Sequence, residues 1–440
     1  MNEQKHKRKN IRTMLLIFVM ITLFYCTGHA QQSALKWLGT LGGNTSMASG
    51  VSNDGLVVTG YAKNTSDENI AFRWTAITGM QNIGTLGGNR SEATGISADG
   101  SIIVGWSYVD NTLYKAFKWT ASTGMVDLGA GDFSRATAIS EDGSTIVGYR
   151  YEGTAQNGFR YKTTYQDLGS LGVNQTAANG VSSNGSVIVG YSYKISGGDP
   201  YAFRWIDGTG MQQIGNYYTF PHGVSGDGSI VTGSETGSAG LHRAFRWTPS
   251  GGVEYNIAGN FSQGNAVSGN GTIIVGDYSG GAFRLSTTGG LEGLNTVYST
   301  LLTTGSSLYS ALDVSSDGQF IVGYGKNGIT GKDEGYILAI GGTTSIDESR
   351  INPGGFVLYQ NFPNPFDEST RINYKLPISG RVILRVYDLF GKEIKTLVNE
   401  VKPAGIYEVD FDASKITEGI YIYKLQTGLF KETKKMILMK

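Results

Sequence analysis

Three sets of side chains in this sequence could carry chemistry. A serine followed two residues later by an acid or its amide recurs seven times, at Ser52, Ser97, Ser140, Ser182, Ser225, Ser268 and Ser315, and would supply nucleophiles or carboxylates. A cation between aromatic residues recurs beside it, in Phe72-Arg73-Trp74, Phe117-Lys118-Trp119, Phe159-Arg160-Tyr161, Phe203-Arg204-Trp205 and Phe245-Arg246-Trp247, and a ring of such cations could hold an anion. Third, Asp67, Glu68, Asp110, Glu152, Asp199, Glu235, Asp333 and Glu334 lie in stretches that do not repeat, and a suitably spaced pair would serve a glycosidase or lyase. Repetition argues against the first two sets as active sites. A reaction centre needs one asymmetric constellation, whereas a hairpin needs the same turn in every copy, so Ser-x-Asp-Gly reads as turn chemistry. The cations read as partners of aromatic rings or acids on a neighbouring element.

Other catalytic and metal signatures are missing. Downstream of residue 30 only His222 and His242 remain, and no G-x-S-x-G, Walker A loop or strand-linked G-x-G-x-x-G occurs, which disfavours histidine metal sites, a triad and nucleotide binding. No spaced-carboxylate calcium loop is present either. No catalytic residue, cofactor or metal is therefore assigned. A binding protein is the first expectation, and a polysaccharide-processing enzyme using the loop carboxylates is the alternative.

The elements that position these residues follow from the repeat. The seven serines are 45, 43, 42, 43, 43 and 47 residues apart, and a glycine follows each by eight residues: Gly60, Gly105, Gly148, Gly190, Gly233, Gly276 and Gly323. Each unit reads as four short strands: one ending at Val51-Ser52, an Asp54-Gly55 turn with positive φ at both positions, then Leu56 to Tyr61, Ala71 to Trp74, and Met80 to Gly84. Four strands in about 43 residues is the size of a propeller blade. Glycine at 65 of 440 and charged residues at only 16% fit turn-rich β-structure. The seventh unit lacks its fourth strand, and Leu35 to Gly43 matches the strand-four stretch Met80 to Gly88. An early orphan strand that completes the last unit predicts a seven-bladed β-propeller over residues 31–342, closed by strand exchange; an open β-solenoid or an eight-bladed ring are the alternatives.

In such a meander the two-to-three and four-to-one connections share one face. That face carries the variable segments, rich in tyrosine, and variable loops on a rigid scaffold are where binding is placed. Candidate ligand residues are Tyr61, Trp106, Tyr108, Tyr149, Tyr151, Tyr191, Tyr193 and Tyr201, with a glycan or a surface protein as ligand. The repeats, V-S-x-D-G-x-x-V-V-G-Y followed by A-F-R-W-T, resemble the HAF family of extracellular repeats, a likeness that implies export and no particular activity.

The two ends read as addresses. Lys5, Lys7, Arg8, Lys9 and Arg12 precede an apolar run from Met14 to Cys26, and Gly28-His29-Ala30 suits cleavage after Ala30, so residues 1–30 are expected to be a secretory signal too short to span a bilayer. Cys26, the one cysteine, lies inside it. Residues 343–355 read as a polar linker, and residues 356–440 alternate apolar and polar as a small immunoglobulin-like β-sandwich. That segment resembles the type A sorting domain of the type IX secretion system through Asn361, Pro363, Asn364, Pro365 and Phe366, then Asp388 and Gly391, Gly405 and Tyr407, Gly419, Tyr421, Tyr423 and Lys424, and the terminal Lys434-Lys435. The resemblance implies passage through the periplasm of a Gram-negative bacterium, recognition by the outer-membrane machinery, and release or attachment at the cell surface. A monomer is expected, with no transmembrane span in the mature chain. The zero net charge is a cancellation, since residues 31–347 carry −7, which excludes a nucleic-acid binder of the usual basic kind.

Overall fold

A computed structural model describes residues 33–237, 240–340, 357–376, 380–389, 391–403, 405–427 and 430–439. The expected signal and linker lie outside these residues. From 33 to 340 the chain forms antiparallel four-stranded sheets in sequence order, over 91–127, 134–167, 176–217, 219–260 and 263–293. A further eight-stranded sheet combines Gly42–Val51, Val58–Asn64, Asn69–Thr75 and Gly79–Asn82 with Ser307–Val314, Phe320–Lys326, Asp333–Ala339 and Ala34–Trp37. Its two halves touch through one parallel bridge, Thr45 to Asp333. These sheets make a β-propeller, and no helix among the described residues is long and apolar enough to cross a membrane. Among the described residues, a short helical connection at Leu294–Val297 and Ser299–Leu301 is the one departure from the strand-only expectation.

The repeated turn is wired internally. Asp54 Oδ1 accepts from Ser52 Oγ at 2.7 Å and from the Leu56 amide at 3.0 Å, while Ser52 Oγ accepts from the Val57 amide at 3.0 Å. The same Ser-to-Asp or Ser-to-Asn bond recurs from Ser97, Ser140, Ser182, Ser225, Ser268 and Ser315. The serine hydroxyl beside it holds Asp99 below the usual carboxylate range, so the hydroxyl donates rather than being activated for attack. One expectation is corrected: positive φ falls on Gly55 alone, at 70°, and not on Asp54. The Gly55 amide bonds the Ser52 carbonyl at 2.9 Å, so the four residues from Ser52 to Gly55 turn as an ordinary β-turn and only the glycine adopts the left-handed conformation. Asp54→Ala should cost about 1 kcal/mol and leave ligand binding unchanged, read as a small shift of the denaturant midpoint.

The invariant glycine eight residues later has a different cause. A Cβ on Gly60 would stand 1.9 Å from the Met47 carbonyl oxygen, because the innermost strand bulges at that point. Beneath each such glycine sits the first aromatic of the cation motif. Phe72, Phe117, Phe159, Phe203, Phe245, Phe283 and Tyr336 are all fully buried.

Two circuits of hydrogen bonds join the sheets. In the first, one of the two residues after each repeated serine donates to the residue after the next serine: Asn53 N to Ala98 O, Ala98 N to Glu141 O, Asp142 N to Ser183 O, Ser183 N to Gly226 O, Gly226 N to Gly269 O, Asn270 N to Ser316 O, and Ser316 N to Asn53 Oδ1. The circuit returns to its start, so the sheets close on themselves. In the second, the bulged residue of each innermost strand donates to a carbonyl of the next: Ser49 to Ala93, Thr94 to Ala136, Thr137 to Ala178, Asn179 to Pro221, His222 to Gly264 and Asn265 to Ala311, at 2.6 to 3.1 Å. His222 is thus a positioned Nδ1 donor in a series of neutral donors.

At the last seam the bulged residue is Leu312, which has no side-chain donor. There Asp313 Oδ2 accepts from the Val51 amide at 3.0 Å. Crowding by protein, with Glu141 as the charged neighbour, pushes the Asp313 carboxyl up to about 7. Below pH 4 the folded and unfolded chains both keep this proton. As pH rises from about 4 to 7 the unfolded chain loses it while the folded chain retains it, so stability falls across that window and levels off above it. Asp313→Asn should remove this decline, checked by comparing denaturant midpoints at pH 4.5 and 7.5 for both proteins.

Residues 357–439 form two further sheets. One is Val357–Leu358, Ser369–Leu376 and Gly405–Asp412; the other is Glu393–Lys402, Gly380–Tyr387, Gly419–Thr427 and Phe430–Leu438. Their alternating apolar residues, among them Leu358, Ile372, Tyr374, Leu384, Tyr423, Leu425 and Met436, share one core.

Candidate functional site

The expected ligand residues stand on strands, not in loops. Tyr61 lies in Val58–Asn64, Trp106 and Tyr108 in Ile102–Tyr108, Tyr149 and Tyr151 in Ile146–Glu152, Tyr191 and Tyr193 in Val187–Tyr193, and Tyr201 in Pro200–Ile206. The hairpins run nearly to their ends, leaving connections as short as residues 153–154. Tyr61, Trp106, Tyr149, Tyr191 and Tyr324 each follow the invariant glycine, so they share one position near the connection face. They pack rather than present themselves. Trp106 is buried, desolvation raises the Tyr61 and Tyr149 phenols, and burial pushes Tyr191 up to about 12. Edge-on pairs tie Tyr149 to Tyr151, Tyr191 to Tyr193 and Phe220, and Tyr309 to Tyr324. Tyr201 lies under the Lys194 ammonium at 4.5 Å, and Tyr151 is the exposed member of the expected set.

Among the cations of the aromatic motif, Arg160 and Arg204 reach across to the next sheet, whereas Arg246 and Arg284 pair with acids of their own sheets. Arg160 lies 4.6 Å over Trp205 of the next sheet and pairs with Asp207 there at 2.9 Å. Arg204 lies 5.8 Å over Trp247. Arg246 pairs with Glu254 at 2.6 Å and Arg284 with Glu292. They do not converge on one anion site.

Each loop carboxylate is engaged where it stands. Asp67 pairs with Lys63, Glu152 with Arg150, Glu235 with Arg243 and Asp333 with Lys326. Glu68 accepts from Asn64 and Asp110 from the Thr112 and Leu113 amides, while Asp199 lies beside the Tyr218 phenol and raises its pKa. Glu334 is buried and accepts from Asn327 and Thr330. No group of three or more metal-ligating side chains occurs among the described residues.

Sequence reasoning missed the exposed rings. Phe133, Tyr218 and Phe261 sit in four-to-one connections immediately before the Ser or Thr that opens the next sheet, and all are exposed. That position, an aromatic before Ser134, Thr219 and Ser262, was the available signal.

In the C-terminal segment most motif residues hold the fold. Asn361 is buried; its side chain donates to the Pro363 carbonyl and Thr370 Oγ1, and its amide donates to the Tyr423 hydroxyl. Asn364 Oδ1 accepts the Ile437 amide, and Phe366 exchanges backbone bonds with Ile437 and Met439, so the Pro363-Asn364-Pro365 stretch is tied to the last strand. Asp388 and Gly391 close a turn through the Lys392 amide. Tyr374 stacks on Tyr407 from the strand that begins at Gly405, and Tyr421 bonds the Thr417 carbonyl beside Gly419. Lys434 pairs with Glu432, whereas Lys435 and the Phe362 ring face solvent and Lys424 is half-buried.

Residues 360–439 match the family of secretion system C-terminal sorting domains. This domain implies export by the type IX system and engagement of its machinery, with a cell-surface or secreted destination. No curated protein matches the chain. Among solved structures, TolB from Acinetobacter baumannii is similar at 13% identity and a TM-score of 0.39, covering 49% of this chain and 55% of its own, so the chain spans about half the length of that relative. PorZ of Porphyromonas gingivalis, described as an essential bacterial surface component of the type-IX secretion system, is similar at 12% identity and TM-score 0.39 over 94% of this chain and 58% of its own. The β-propeller domain of the Trilobed protease from Pyrococcus furiosus is similar at 11% identity and TM-score 0.43 over 64% of this chain and 88% of its own.

Proposed function

We propose that this chain is a seven-bladed propeller of HAF-type repeats, carried through the periplasm by an N-terminal signal and delivered by type IX secretion to recognise a glycan or a protein at the cell surface without turning it over. The carrying observation is the closed hydrogen-bond circuit from Asn53 round to Ser316 and back, which makes a rigid ring and gathers the non-repeating connections at one end. A blade count of seven is supported by the repeat and by Ala34–Trp37 completing the sheet of Asp333–Ala339. The immunoglobulin-like reading of the sorting domain is supported by its two sheets around one core. The local partners of the eight loop carboxylates favour binding over catalysis, since a working acid and base must converge on one bond.

A glycan array joined to a turnover assay on the full chain tests this reading. Binding without product is expected. Turnover abolished by changing a single loop carboxylate would establish the polysaccharide-processing alternative instead.

A further inference from the structure

Phe133, Tyr218 and Phe261 hold left-handed backbone, with φ of 51°, 55° and 56°. Bulky residues avoid this conformation and glycine takes it freely. Their rings are nevertheless 43%, 41% and 63% exposed, so strain is accepted where no core packing repays it, which is the pattern of a functional position.

Only at Phe133 do the contacts join the ring to a cation without an acid. Its ring meets Tyr114 edge-on at 5.5 Å, and Tyr114 meets Trp106 at 5.7 Å. Two residues along the strand, Arg135 lays its guanidinium 4.2 Å from the Trp106 ring and 4.9 Å from Tyr114. Its Nε is buried without an acceptor. The neighbouring acids are committed elsewhere: Asp127 and Asp132 to Lys115, Glu152 to Arg150, and Glu92 to Asn69. Arg135 is thus a half-buried cation at the connection face with no ion-pair partner among the described residues.

We propose that the aromatic–cation cluster between the second and third sheets of the propeller, formed by Phe133, Tyr114, Trp106 and Arg135, binds an acidic sugar residue of a polysaccharide. The guanidinium takes the sugar carboxylate through its paired N–H groups, and the C–H face of the pyranose stacks on the Phe133 ring. A carbohydrate suits the site because the exposed rings stand singly among polar connections instead of forming the contiguous apolar patch of a protein interface. The −7 charge of residues 31–347 opposes unspecific adsorption of polyanions, so affinity depends on this one cation. The proposal rests on the connection face being the binding face.

Calorimetry of the full chain with a galacturonate hexamer, a neutral galactose hexamer and a sulfated galactan hexamer tests it. The uronate is expected to bind and the neutral sugar to bind at least about tenfold more weakly, with Arg135→Ala erasing that difference and Arg135→Lys retaining part of it. Phe133→Gly should weaken uronate binding several-fold while the melting temperature holds or rises, because glycine relieves the left-handed strain. Phe261→Gly should raise the melting temperature and leave uronate binding unchanged. If Arg135→Ala fails to fold, the Phe133→Gly result decides. Equal affinity for the three sugars, preference for the sulfated one, no uronate binding, or uronate binding untouched by Phe133→Gly each overturn the proposal. A neutral glycan or protein ligand lost on changing other connection-face residues would overturn it while leaving the broader recognition function standing.

Discussion

A chain truncated before residue 356 folds its propeller but is not exported to the surface. The removed segment is the matched sorting domain, with a buried core of its own from Leu358 to Leu438. The expected readout is complete loss of the protein from the cell surface and medium, with accumulation in the periplasm, measured by fractionation. Normal surface delivery of the truncated chain would show that the address lies elsewhere. Asn361→Ala should weaken delivery in a graded way, because it removes two side-chain bonds that anchor the Pro363 stretch and leaves the Pro363 carbonyl and Thr370 hydroxyl with fewer partners, at about 1–3 kcal/mol of domain stability.

The second large effect belongs to the closing strand. Deleting residues 33–38 should lower propeller stability by roughly 3–5 kcal/mol, the scale of removing a large core side chain. Ala34–Trp37 pairs antiparallel with Asp333–Ala339 in the register of a fourth strand, Trp37 opposite Tyr336 and Leu35 opposite Leu338. Leu38 is buried, and the Trp37 and Tyr336 rings meet edge-on at 6.0 Å. Loss of these contacts also bares an unpaired edge next to a fully buried strand, which invites association between chains. Denaturant midpoint and light scattering together read the effect. A midpoint unchanged by the deletion would mean that the ring gains nothing from its closure.

The ring was largely legible because its determinants are local and repeated. The Ser-x-Asp-Gly spacing marks a turn wherever it occurs, and the match between Leu35–Gly43 and Met80–Gly88 marks a displaced strand from sequence alone. The seam bonds were not legible, since Ser49, Thr94, Thr137, Asn179, His222 and Asn265 share no side-chain type and only the bulge gives them a common direction. The expected ligand residues were placed in loops, whereas they stand on strands and are largely packed between sheets. Tyrosine-rich segments looked like loops because hairpin strands extending past the core carry the same composition, and burial of Trp106 and Tyr191 depends on the neighbouring sheet, which one unit's sequence does not contain. Phe133 and its equivalents were overlooked because their distinguishing property is backbone conformation.

The pairing of Ala34 with Ala339 places the entry and exit of the propeller chain side by side on the rim. The ring is therefore finished by residue 340, and everything downstream is attached as luggage is to a handle. A protease acting between residues 341 and 356 would sever none of the bonds in either circuit and none of those between Ala34–Trp37 and Asp333–Ala339. Such a cut would discard the address while leaving the bonds that close the ring in place.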